Sequence, residues 1–195
     1  FVRTPLVVHY HADIVRQKIL NIIIRLLQRR ILRHARTIIV SNPNLAKNSP
    51  VLRSVREKCQ VIPLSVDRDE FDRTSESLVQ QYVQHYGDFV LFVGRLSYYK
   101  GLRYLLQSAR DIDATIVIVG SGDNKNELQN HARDLGVSDK IIWLDPLPRE
   151  KLLALYQAAQ VFVLPSIYPS EAFGIVLIEA MMQGTPVIST ELGTG

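Results

Sequence analysis

Residues 161–189 read VFVLPSIYPSEAFGIVLIEAMMQGTPVIS. Four apolar residues, Val161 to Leu164, stop at Pro165, and a loop with a second proline, Pro169, runs on to Gly174. The spacing predicts a strand at Val161–Leu164, a helix over Gly174–Gln183 and a further strand over Pro186–Ser189. Working upstream, the same alternation recurs. Strands are expected at Phe89–Val93, Thr115–Val119 and Lys140–Leu144, with helices over Gly101–Arg110, Asn124–Leu135 and Arg149–Ala159. Short apolar strands separated by amphipathic helices specify a parallel sheet covered on both faces, an α/β, Rossmann-like array.

An earlier block shows the same alternation: a strand at Leu6–Tyr10, a long helix over Asp13–His34, and strands at Thr37–Val40 and Gln60–Leu64. Between the blocks polarity rises, with Asp67, Asp69, Glu70, Asp72, Ser75, Glu76 and Ser77 closely packed, so a linker and a capping helix are expected over 67–87. No internal repeat and no low-complexity tract interrupts this order.

Composition narrows the classes. The 195 residues are 47% hydrophobic and 22% charged, an ordinary globular balance able to bury a core. The lone Cys59 excludes a disulfide framework and a cysteine-based zinc site, which fits a reducing, cytoplasmic setting. No apolar run approaches the roughly 18 to 20 residues of a membrane span. Beginning at Phe1 and stopping at Gly195 after a strand-like run, the chain reads as an internal fragment of a longer one.

The net charge of +4 is unevenly spread. Seven Lys or Arg and no Asp or Glu fall between Ile14 and Val40, and the 16 cations and 19 acids of the rest leave it at −3. Ile19, Ile22, Ile23, Leu26, Leu27 and Leu32 recur near helical spacing among those cations, a basic amphipathic pattern. Such a helix, 14–36, either packs on a core with its basic face solvated or lies on an anionic membrane surface. Nucleic acid is disfavoured, because no aromatic residues interleave the cations as stacking platforms.

In open parallel sheets, ligands sit beyond the carboxyl ends of the strands, so the loops after Val93, Val119, Leu144 and Leu164 are where chemistry should collect. After Val93 come Gly94, Arg95 and, four residues past Leu96, Lys100 beside Gly101. A guanidinium and an ammonium next to a helix N-terminus suit a diphosphate. After Val119, Gly120-Ser121-Gly122 could let backbone approach a ligand, with Asp123 as the expected cap of the next helix. Neither a dinucleotide Gly-x-Gly-x-x-Gly nor a Walker Gly-Lys-Ser/Thr occurs, which counts against dehydrogenases and P-loop enzymes. In the last loop Glu171 and Glu179 lie eight residues apart, on either side of a helix start at Gly174. Amide N–H groups there offer an anion site, and carboxylates accept bonds from vicinal hydroxyls, so one region combines phosphate with sugar recognition.

Taken together, Gly94-Arg95 to Lys100-Gly101, the Gly120-Ser121-Gly122 turn, the run from Val161 to Ser166, and the Glu-x7-Glu segment from Glu171 to Glu179 leading into Gly184-Thr-Pro-Val-Ile resemble a retaining glycosyltransferase of the GT-B fold, glycosyltransferase family 4. The resemblance covers nearly the whole chain. It implies two Rossmann-like domains, both incomplete here: 1–66 as the C-terminal part of the acceptor side, 67–87 as a linker and cap, and 88–195 as the nucleotide-sugar donor-binding domain without its C-terminal end. It also implies roles. Arg95 and Lys100 would neutralise the diphosphate, Glu179 would hold the ribose hydroxyls, and Glu171 would contact the donor sugar. Main-chain amides around Phe173, Gly174, Ile175 and Val176 would meet phosphate and sugar, Gly94 and Gly120 would let backbone approach, and Leu147 would lie near the base. His11 matches the family's histidine at the cleft between donor and acceptor.

The reaction so implied moves a hexosyl unit from a nucleotide diphosphate sugar to a glycan or lipid-linked acceptor hydroxyl, with retention, without a metal and with no other cofactor. GDP-mannose is the donor suggested by the look of the segment from Ser189 to Gly195, with UDP- and dTDP-sugars open. Asp67-Arg68-Asp69 spells the Asp-x-Asp of metal-using transferases but falls in the expected linker. A non-catalytic nucleotide-sugar-binding or membrane-docking protein, and a sugar-nucleotide epimerase or phosphorylase, are the competing readings. Enzymes of this kind often extend lipid-linked sugars at the cytoplasmic membrane face, which favours peripheral membrane attachment through the basic helix.

Overall fold

The computed structural model describes residues 4–11, 20–71, 74–168, 171 and 173–192. The chain divides into two units, one of residues 1–65, 168–173 and 192–195, the other of 66–167 and 174–191.

In the first unit, β1 (Val7–Tyr10), α1 (Leu20–His34), β2 (Thr37–Val40), α2 (Pro43–Asn48) and β3 (Cys59–Val61) follow in order, and the strands form a parallel sheet β1-β2-β3. Val7 pairs with Thr37, and Ile38 with Cys59. The alternation of β2 buries Ile38 and Val40, which join Tyr10, Leu32, Leu45 and Leu52 in one core. The third strand ends earlier than the expected Gln60–Leu64. Ile62 still donates to the Val40 carbonyl at 2.9 Å, but Pro63 has no N–H with which to continue the ladder. Six-residue α2 went unforeseen because it is too short to show a period. Its signal is local: Asn42 Oδ1 accepts from the Leu45 amide at 2.7 Å, with Pro43 opening the first turn.

Of the helix expected over Asp13–His34, residues 13–19 lie outside the described residues, and the remainder is α1. Its apolar residues divide. Leu32 is buried while Leu26, Leu27 and Ile31 are half or more exposed, flanked by exposed Arg29, Arg30 and Arg33.

In the second unit, α3 (Glu76–Tyr86), β4 (Phe89–Val93), α4 (Leu102–Ser108), β5 (Thr115–Val119), α5 (Lys125–Asp134), β6 (Ile141–Leu144), α6 (Arg149–Ala158), β7 (Val161–Leu164), α7 (Ile175–Met182) and β8 (Val187–Ser189) alternate as expected, within a residue or two at each end. The sheet is parallel in the order β6-β5-β4-β7-β8. All five residues of β4 are buried, the signature of a central strand covered on both faces. It pairs Phe89 with Thr115 on one side and Val90 with Val161 on the other. Because the chain winds outward in both directions from β4, the order reverses between β4 and β7. A crevice opens at the carboxyl ends of the strands beside such a reversal.

The polar stretch 67–87 is built into this unit. Phe71 is buried in its core, α3 packs on α6, and Tyr82 stacks on Tyr86, which meets Phe89 edge-on. The Thr74 hydroxyl and the Gln183 amide both donate to the Phe71 carbonyl, at 3.2 and 3.3 Å, which ties this segment to the end of α7.

Candidate functional site

The loops after β4 and β5 lock together before either meets a ligand. Gly94 donates to the Val119 carbonyl at 3.0 Å, Leu96 to Ser121 at 2.9 Å and Asn124 to Leu96 at 3.2 Å. Gly120, at φ +148, brings its α-carbon so near that a Cβ would stand 2.0 Å from the Gly94 carbonyl oxygen, so no other residue fits. These two loops and the one after β6 wall a pocket of about 600 Å³, lined by Gly94, Arg95, Gly120, Asp123, Leu147 and Leu152 among others. That volume lies within the range of small-molecule and cofactor sites. Arg95 stands at its edge, mostly exposed, with Nη2 3.5 Å from Asp123. Asp123 is therefore an ion-pair partner and not the expected helix cap; α5 starts from Asn124, whose amide side chain donates to Glu127 at 2.8 Å. Lys125 donates to Asp145 at 2.7 Å, the residue just ahead in sequence of pocket-lining Pro146 and Leu147.

Lys100 takes a different position from Arg95. It is buried, its ammonium 5.6 Å from the Tyr99 ring centroid and 3.7 Å from where a Cβ on Gly94 would be. Beside it Gly101, at φ +67, brings its backbone so close to the end of β7 that a Cβ would fall 1.8 Å from the Pro165 carbonyl oxygen. The Ile167 amide donates to Tyr99 at 2.8 Å, joining the loops after β4 and β7 on either side of the strand-order reversal.

Glu179 projects from α7, its side chain 13% exposed, and each carboxylate oxygen has a partner. Arg149 Nη1 donates to Oε1 at 2.6 Å, and the Tyr156 hydroxyl to Oε2 at 3.0 Å. Tyr156 is wholly buried, and burial, with the Glu179 charge behind it, pushes its phenol well above the usual tyrosine value. The guanidinium of Arg149 also lies over the Phe71 ring, 4.9 Å from its centroid. Neither Arg149 nor Tyr156 was expected at the site. Their spacing is the signal that could have found them: seven residues on a helix is nearly two full turns, so both leave α6 on one face.

Gly174 begins α7 in the left-handed conformation, and Leu177 closes the first turn by donating to its carbonyl at 2.8 Å. The amides at Gly174, Ile175 and Val176 thus stand at a helix N-terminus whose first turn holds no acid. Glu171 and Phe173, both half-buried, belong to the first unit, where the Glu171 amide donates to Tyr168 at 3.1 Å. His11 is in the same unit, exposed, its ring edge-on to His9 with centroids 5.9 Å apart. Of the expected residues, Gly94, Arg95, Gly120 and Leu147 meet around one pocket, Lys100 packs behind Gly94, and Glu179 joins the same unit through α6.

Comparison with known proteins bears on the family and the fold. The family described as glycosyl transferases group 1 matches residues 78–195. The D-rhamnosyltransferase WbpZ of Pseudomonas aeruginosa is 40% identical over 192 residues, 98% of this chain and 50% of that protein. The O-antigen chain mannosyltransferase C of Escherichia coli is 38% identical over 190 residues, 97% of this chain and 51% of its own. This chain therefore spans about half the length of these curated relatives. Among solved structures, Anabaena Alr3699/HepE in complex with UDP-glucose superposes with a TM-score of 0.80 at 24% identity, over 98% of this chain and 55% of that one. Sucrose-phosphate synthase from Thermosynechococcus elongatus gives 0.79 at 24% identity, over 96% of this chain and 50% of its own. The likeness to these glycosyltransferases is one of fold, the GT-B arrangement of parallel α/β sheets.

Proposed function

This chain belongs to the glycosyl transferases group 1 family, and we propose that it is part of an enzyme transferring a hexosyl unit from a nucleotide diphosphate sugar to a hydroxyl of a glycan or lipid-linked acceptor. The observation that carries this reading is the glycine-walled pocket beyond β4, β5 and β6, with Arg95 at its edge and Lys100 packed behind Gly94. The nucleoside would enter against Leu147, and the diphosphate would turn toward the cations. Arg95, exposed and held by the surface pair with Asp123, and Lys100 stabilise negative charge as it grows on the leaving diphosphate. The amides that open α7 add a preorganised dipole for the same charge. Glu171 contacts hydroxyls of the transferred sugar, and His11 serves the reacting region from the acceptor side.

Transfer proceeds with retention and without a metal in this proposal, the departing phosphate helping to deprotonate the acceptor. We take 1–66 as acceptor-side and 88–195 as donor-binding, joined through 67–87. A mannosyl donor, GDP-mannose, and a role in polysaccharide assembly are favoured by the names of the relatives, a rhamnosyl- and an O-antigen mannosyltransferase. Attachment to the cytoplasmic face of an anionic membrane is supported by exposed Leu26, Leu27 and Ile31 among the arginines of α1; no helix among the described residues is long and apolar enough to cross a bilayer.

Calorimetric titration of the full-length protein with GDP, UDP and dTDP, beside Arg95→Ala, tests the proposal. One nucleotide should bind, more weakly in the variant, and product analysis should give a glycosylated acceptor of unchanged anomeric configuration. An isomerised donor, a sugar phosphate or the absence of any binding would overturn it.

A further inference from the structure

The Glu179 carboxylate is held before any donor arrives. An ionised carboxylate offers about four lone-pair positions on its two oxygens, and here one on each is taken. Arg149 Nη1 donates to Oε1 at 2.6 Å and Tyr156 Oη to Oε2 at 3.0 Å, which fixes the plane of the group and, among the described residues, leaves one acceptor position on each oxygen. Two parallel acceptor positions on one rigid plane match two adjacent hydroxyls. The holders are themselves constrained: Tyr156 is fully buried, with its ring edge-on to Phe162 at 5.4 Å, and Arg149 lies over Phe71. In sequence Arg149 falls between Leu147 and Leu152, both of which line the pocket.

From this arrangement we propose that Arg149 and Tyr156 are positioning residues that preset Glu179 to accept the vicinal diol of a ribose, and that they thereby set the preference for ribonucleotide over 2′-deoxyribonucleotide donors. This rests on the assignment of Glu179 to the ribose and adds to it the groups that make the contact selective. Rotamer freedom of a glutamate is lost on binding unless the fold has removed it beforehand, and a carboxylate free to turn would favour the diol less. Neither holder touches the donor in this scheme. The Arg149 charge also offsets the repulsion that an uncompensated carboxylate would exert on a nearby diphosphate, but that effect weakens deoxy and ribo ligands alike and so is separable.

The test is calorimetric titration of the full-length protein with GDP, UDP and their 2′-deoxy counterparts, for the parent, Arg149→Met, Arg149→Lys, Tyr156→Phe and Glu179→Ala. In the parent the preferred ribonucleotide should bind roughly tenfold or more tightly than its deoxy form, the scale of a hydrogen bond to a charged group. In Arg149→Met and Tyr156→Phe that ratio should fall toward the one seen in Glu179→Ala, with the deoxy affinity changed far less, and Arg149→Lys should restore part of it. A ratio that collapses in Glu179→Ala but persists in both other variants would overturn the inference and leave the Glu179 assignment standing. So would equal losses for ribo and deoxy ligands, the mark of a merely structural role. A parent that binds without discrimination would remove the ribose assignment and the inference together, and tight binding of dTDP above GDP and UDP would do the same. A parent that binds no nucleotide would remove the proposed function itself.

Discussion

Lys100 and Arg95 show how two cations of one loop come to different surroundings. Both were expected beside a diphosphate from their place after a strand. Lys100 is buried behind Gly94, whereas Arg95 stands exposed and paired with Asp123 at 3.5 Å, an exposed pair of little energetic weight. Arg95→Ala should therefore leave the melting temperature within a degree or two while weakening nucleotide binding, a contrast that thermal denaturation and calorimetry read together. Gly101 behaves in the opposite way. A Cβ there would meet the Pro165 carbonyl at 1.8 Å from a left-handed backbone, so Gly101→Ala should cost about 2 kcal/mol or more of stability, measured by chemical denaturation. An unchanged midpoint would mean that the loops after β4 and β7 are not in contact. For the two acids, Glu179→Ala should raise KM for the donor, while Glu171→Ala should lower kcat more than it raises KM. Steady-state kinetics that do not differ between the two variants would reject both assignments.

At the scale of elements, α6 does more than cover the sheet. It carries Leu153, Leu155 and Tyr156 into the core, and its first turn sends Arg149 across to α7. Tyr156 remains neutral in the folded protein because burial and the adjacent Glu179 raise its pKa above the usual 10.0. Below that value neither folded nor unfolded chain has lost the proton, and the contribution to stability is complete. Above it only the unfolded chain ionises, so stability falls by about 1.4 kcal/mol per pH unit for this one group. Tyr156→Phe should make the decline between pH 10 and 11 shallower by about 1 kcal/mol, since ionisation of the unfolded chain is half complete at pH 10, as read from denaturant midpoints. Tyr82 and Tyr86, also raised by burial, continue to contribute in both proteins. Helix α1 makes the complementary case, with exposed Leu26, Leu27 and Ile31 set among arginines. Replacing Arg29, Arg30 and Arg33 by Gln should lower sedimentation with anionic vesicles and leave that with neutral vesicles unchanged; equal sedimentation with both would argue against a lipid role for this helix.

For the whole molecule, two separate cores mean two sources of stability. One is built on a three-stranded sheet around Ile38 and Leu52, the other on a five-stranded sheet around β4. Segment 67–87 shows what composition can conceal. Its acids and serines suggest a linker and a capping helix; the helix is α3, which lies on α6, and Phe71 and Val79 are buried. A protein begun at residue 88 should therefore be less stable than one begun at residue 66 by about 3 to 6 kcal/mol, the burial of those two side chains at 1.5 to 3 kcal/mol each. Equal denaturation midpoints would mean that 67–87 contributes nothing to this core.

The alternation of strands and helices, the parallel character of both sheets and the loops after β4, β5 and β6 that wall the pocket were legible in the sequence, because apolar period and glycine or proline punctuation are local properties. Glu179 could be singled out from its place in the Glu-x7-Glu segment, and Arg95 from its place after β4. What the sequence could not supply was the partner of each. That Arg95 meets Asp123, that Gly120 faces Gly94, and that Arg149 and Tyr156 grip Glu179 across 30 and 23 residues depend on which strand lies beside which. The winding from β4 outward decides those neighbours, since a contact between distant segments is a property of sheet order and packing, and no local pattern encodes it.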